Sequence, residues 1–116
     1  MKNANHYFGS HNGSENFYVH KPSLILYTDG VKEMAEACGA YWLIDLVISH
    51  QCRKDVNLER FQVWDLKRTQ DNAFSILCTD GNHNKVASQE IPFSDFNYDL
   101  ATIWLVDGCL MLPNEY

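Results

Sequence analysis

The chain has 116 residues, with 15 acidic against 9 basic side chains and a formal net charge of -6. A length near the common domain size, with 46% hydrophobic and 21% charged residues, excludes a disordered polyelectrolyte and predicts one domain over residues 1–116. The acidic balance disfavours direct nucleic-acid binding, which calls for a basic face, and the longest fully apolar run, Ala40 to Ile44, is far too short to span a membrane.

Met1 to Glu15 is rich in Asn, Gly, Ser and His and reads as a flexible or loosely docked arm. Met1 to Gly13 has no apolar core of an export signal, which points to a cytoplasmic protein. Phe8, Phe17 and Tyr18 are the aromatic residues that would pin the arm to the body. After Pro22, Ser23 to Tyr27 is a short apolar run, either a strand or a packed helical turn.

Thr28 to Cys52 is the only long helical signal. Thr28 or Asp29 supplies the cap, and Glu33 puts negative charge near the positive end of the dipole. A continuous helix would place Val31, Met34, Ala35, Cys38, Trp42, Leu46 and Ser49 on one face. Gly39 would then sit mid-helix, at about 1 kcal/mol relative to Ala, and would mark close approach of another backbone.

Beyond the charged segment Arg53 to Glu59 the period changes to two. Phe61 to Leu66, Ala73 to Cys78 and Val86 to Ile91 read as strands. Phe93 to Leu100 has no clear period. Thr102 to Val106 and Cys109 to Leu112 flank Asp107-Gly108, the strongest hairpin signal in the chain. The predicted fold is α+β: one long helix packed on an antiparallel sheet of about five strands.

No motif names a reaction. The five His and four Cys form neither H-E-x-x-H nor C-x-x-C, so no metal site, cofactor or catalytic residue is assigned. The cysteines are unevenly spaced and read as buried thiols in a reducing compartment. Asp45 is the polar exception in an apolar block. It is either a ligand anchor, or paired with a group such as Arg60, or at the solvent edge of the helix. His50, at the helix end, suits the C-terminal dipole. Alternation turns Trp64 away from Phe61 and Val63, which makes it a candidate partner-facing ring.

The phrases FGSHNGSENFYVH (8–20), LYTDGVKEMAE (26–36), AYWLIDLVIS (40–49), FQVWDL (61–66), CTDGN (78–82) and DGCLMLPNEY (107–116) resemble a domain-of-unknown-function family of small bacterial, phage and plasmid proteins. The resemblance spans nearly the whole chain and carries over no site residue. It implies a mobile-element context, in which small acidic proteins block host defence.

Two functions are therefore expected. The first is a non-enzymatic interaction module that occupies a protein such as a nuclease or CRISPR effector. Its binding residues would be Trp64, Phe8, Tyr18, Asp45 and His50, and a homodimer is compatible with it. The alternative is a small enzyme or ligand-binding domain with a pocket between helix and sheet, using Asp45, His50, Tyr41 and Cys109.

Overall fold

In a computed structural model, which describes residues 2–8, 16–21 and 23–116, the helical block after Thr28 folds as two helices rather than one. Helix α2 (Asp29–Cys38) stops at Gly39, whose φ of 59° is left-handed, and α3 (Tyr41–His50) starts afresh. The amides of Gly39 and Ala40 both return to the Ala35 carbonyl, a helix-ending arrangement that glycine adopts without a side-chain clash. A Cβ at Gly39 would meet nothing within 4 Å, so its conformation, rather than close approach, requires glycine.

The break rephases the apolar face. α2 buries Val31, Met34, Ala35 and Cys38, whereas α3 buries Leu43, Ile44 and Val47. Trp42 is left half-buried, edge-on to Phe96. Gly39→Ala should accordingly destabilise by about 1–2 kcal/mol in chemical denaturation, the cost of a left-handed L-residue. A gain of about 1 kcal/mol, which a mid-helix glycine would give on replacement, would restore the single helix.

The sheet is also larger than expected and mixed rather than antiparallel. Among the described residues, seven strands run in the order β1-β2-β7-β6-β3-β4-β5. They are β1 (Phe17–His20), β2 (Ile25–Thr28), β3 (Phe61–Gln70), β4 (Ala73–Thr79), β5 (Lys85–Ile91), β6 (Leu100–Val106) and β7 (Cys109–Met111). Neighbours are antiparallel except β2 and β7, where Leu26 pairs with Cys109 and Tyr27 with Leu110 in parallel. Asp107 and Gly108 both have positive φ (47° and 82°), as the tight β6–β7 hairpin requires.

Of β6, β7 covers only Trp104 to Val106, so it leaves the start of that strand open. The N-terminal residues fill that gap. Asn3 bridges Leu100, and the Asn5 side-chain amide binds both the Thr102 carbonyl (2.8 Å) and the Thr102 N–H (2.6 Å). Ala4 is fully buried beside one-turn helix α1 (Asn5–Phe8). The remainder of the arm expected over residues 1–15 includes 9–15, which lie outside the described residues.

One sheet face carries the core. Trp64 and Leu66 of β3 meet Ile103 and Ala101 of β6 on one side and Cys78 and Ile76 of β4 on the other. The buried residues of α2 and α3 join them in a single cluster, with Val56 of the one-turn helix α4 (Lys54–Asn57). The chain closes in a 3-10 turn, Pro113–Glu115, whose Glu115 side chain reaches the start of α2.

Candidate functional site

Paired residues on adjacent strands share a face, so the register defines what the second face of the sheet displays. Val19 pairs with Leu26, Leu26 with Cys109, Cys109 with Val106, and Val106 with Phe61. One step along, Met111 pairs with Trp104 and Trp104 with Val63. Leu77 pairs with Asp65 of the same parity. An apolar stripe therefore crosses the sheet from β1 to β4.

At its centre the rings of Phe61, Trp104 and Tyr116 pack together, with centroids 5.0 to 6.0 Å apart. Gly81 lies against the Phe61 ring, where a Cβ would come within 3.2 Å of it. Phe17, Val19, Leu77 and Tyr116 are exposed, Tyr116 to 75%. The rest of the stripe is half-buried. The other half of this face is polar: Thr102 donates to the Asp65 carboxylate at 2.6 Å, and Ser75 pairs with Glu90.

The residues nominated from the sequence are dispersed. Trp64 is 1% exposed, in the middle of the core, and its ring is not available to a partner. Phe8 is half-buried, edge-on to Tyr98. The Tyr18 hydroxyl donates to Asp29, and Lys32 lies over the ring at 4.5 Å. The bond to Asp29, then burial and the Asp29 charge, raise the Tyr18 phenol above its usual range. His50 lies 2.8 Å from the Gln89 amide oxygen and rests on Trp64. Tyr41 donates to Glu36 at 3.2 Å. Its phenol is raised by burial first and by Glu36 second. Cys109 belongs to the open sheet face. Asp45, Tyr41 and His50 thus each bind a different side chain, His20, Glu36 and Gln89.

Asp45 is 68% exposed at the edge of α3, and its partner is His20 at 2.9 Å, not Arg60. Ser23 Oγ lies 2.8 Å from the other His20 nitrogen, so the three follow the order of a Ser-His-Asp triad. The resemblance stops at connectivity. The Ser23 oxygen already accepts the Ile25 N–H and lies 3.2 Å from the His20 carbonyl, and Asp45 is open to solvent where a triad aspartate is buried. The series latches the β1–β2 hairpin to α3.

The four cysteines are free. Cys78 is pushed up to about 12 by burial, with smaller contributions from the charges of Glu59, Asp65 and Asp80. Burial also raises Cys38 and Cys109. Three thiols are therefore poor nucleophiles, since the thiolate is the reactive form. Among the described residues, no three His, Cys, Asp or Glu converge as a metal site, and no helix is long and apolar enough to cross a membrane.

The alternation that identifies β3 was legible, but not its buried side. Phe61, Val63, Asp65 and Gln62, Trp64, Leu66 each hold two apolar residues and one polar residue. Gln62 is the member that disguises the core face, because its amide is satisfied in the interior. Trp104 and Val106 on β6 share the parity of Phe61 and could have been grouped with it by the same period.

Comparison with curated proteins and with solved structures finds no match. A profile described as a family of unknown function (DUF6876) matches residues 2–116.

Proposed function

Since the chain belongs to the DUF6876 family, whose description assigns no activity, we propose a function from geometry: a non-catalytic module that binds a basic protein partner through the open face of its sheet. The supporting observation is the stripe around Phe61, Trp104 and Tyr116. Clustered aromatic side chains with apolar neighbours and a polar border are the composition of an interface centre. The net charge of -6 favours a basic counterpart. Proteins that handle nucleic acid carry such surfaces, which keeps a defence nuclease or CRISPR effector as the partner class of this proposal. The free thiols support residence in the cytoplasm.

The test uses Leu77→Arg combined with Tyr116→Arg, two exposed positions on the stripe. Tagged wild-type protein should retain one stoichiometric, salt-sensitive protein from host lysate. The double variant should lose about 2 kcal/mol or more of that binding at an unchanged melting temperature. Equal retention by the variant would remove the open face from the interaction. If no partner is retained and the chain sediments as a dimer that the same substitutions dissociate, the face serves self-association instead.

A further inference from the structure

At the end of the sheet where β2 begins and β6 turns into β7, a cleft of about 520 Å³ opens between the sheet and the segment after α3. This is within the size range of small-molecule sites, about 300–1,000 Å³. Ile25 and Leu105 give it an apolar wall. The buried Gln62 and half-buried Gln51 also line it, as do half-buried Glu59 and exposed Arg60 and Asp107, which carry charges of both signs.

The Gln51 and Gln62 lining is preformed. Gln62 is 1% exposed, and its amide and that of Gln51 bind each other reciprocally, both bonds at 2.9 Å. Gln62 also donates to the carbonyls of Val56 and Glu59 and accepts from the Trp64 indole. Arg60 and Asp107 are tied through the backbone, where the Asp107 N–H donates to the Arg60 carbonyl at 3.1 Å. Among the described residues, the side chains of Arg60, Glu59 and Asp107 make no hydrogen bond or ion pair with the protein. Three charged residues thus line the same cleft as Ile25 and Leu105 with their side-chain bonding capacity unspent.

The charge pattern selects the ligand. An anion would meet two carboxylates, and a cation would meet the guanidinium. A compact molecule carrying both charges satisfies these side chains. We propose that the cleft binds a small zwitterion of the α-amino-acid type with an aliphatic side chain. Its carboxylate is held by Arg60, its ammonium by Asp107 and Glu59, and its side chain by Ile25 and Leu105. This site is distinct from the open sheet face and stands without the interaction proposed there.

The experiment is an amide NMR titration of the full chain with L-leucine and its two singly charged analogues, 4-methylpentanoate and 3-methylbutylamine. Leucine should shift the signals of Arg60, Asp107 and Gly108 saturably, and each analogue should bind at least about tenfold more weakly, a loss of one charged contact. Arg60→Ala should reduce leucine binding by a similar factor without weakening the amine. Asp107→Asn with Glu59→Gln should do the converse, and Asn tolerates the positive φ at 107. The unshifted remainder of each spectrum reports that the variant is folded. Leu77→Arg, on the open face, should leave the titration unchanged. Absence of a saturable shift, or equal binding by the analogues, overturns the assignment.

Discussion

Trp64→Ala should cost about 3–5 kcal/mol of stability, the range for deleting a large aromatic ring from a core. The ring is 1% exposed on β3, the strand joined to both β4 and β6. Its removal leaves a void facing Ile103 and Cys78, the residues paired with it on either side, and withdraws packing from the His50 ring. It also deprives Gln62 Oε1 of the indole N–H that it accepts at 2.9 Å. Gln62 Oε1 keeps the Gln51 amide donor at 2.9 Å, so the lost hydrogen bond adds only modestly to the cavity term. Small domains are stable by about 5–15 kcal/mol in total, so the variant should be close to unfolding at moderate temperature. Urea denaturation checks this directly: the midpoint should fall with an unchanged slope. A loss below about 1 kcal/mol would contradict the burial that defines this side of the sheet.

The second large effect is at the other end of the chain. Glu115 is 9% exposed, and its carboxylate accepts from the Thr28 hydroxyl (2.6 Å), the Gly30 N–H (3.1 Å) and the Leu112 N–H (3.0 Å). It thereby ties the C-terminal turn to the start of α2, where unpaired amides and the helix dipole favour an anion. Glu115→Ala would strand these buried donors and should cost about 3 kcal/mol. Gly30 is part of the same contact, since a Cβ there would lie 2.6 Å from Glu115 Oε1. Gly30→Ala should consequently be destabilising in the wild type and much less so when Glu115 is already alanine. Thermal denaturation of the four-protein cycle measures this coupling. Simple additivity of the two losses would show that the carboxylate does not occupy the space above Gly30.

These two residues mark how far the sequence could be read. The cap at Thr28, the period-two strands and the Asp107-Gly108 hairpin were legible because each depends on neighbours a few residues apart. The family resemblance was legible for the same kind of reason, being carried by contiguous phrases that the profile over 2–116 also spans. Gly39 was visible but read as a tolerated mid-helix cost, although a glycine inside a helical pattern also serves as a terminator. Its left-handed φ decides for the terminator. The buried side of β3 was read the wrong way round, with Trp64 facing outward, because Gln62 and Asp65 make the two faces equally mixed; satisfaction of the Gln62 amide by Gln51, Val56, Glu59 and Trp64 puts that side in the core.

The candidate sites were less legible still. Phe61, Trp104 and Tyr116 come from different parts of the chain, and so do Ile25, Arg60 and Asp107. The order of the sheet, with β7 between β6 and a parallel β2, brings such residues together. Residue order alone carries the strand periods, the Thr28 cap, the tight turn at Asp107-Gly108, the acidic charge and the supply of apolar side chains. Tertiary structure alone decided which face became the core, which remained open and where a cleft formed, because those outcomes depend on long-range pairing and burial that no local period records.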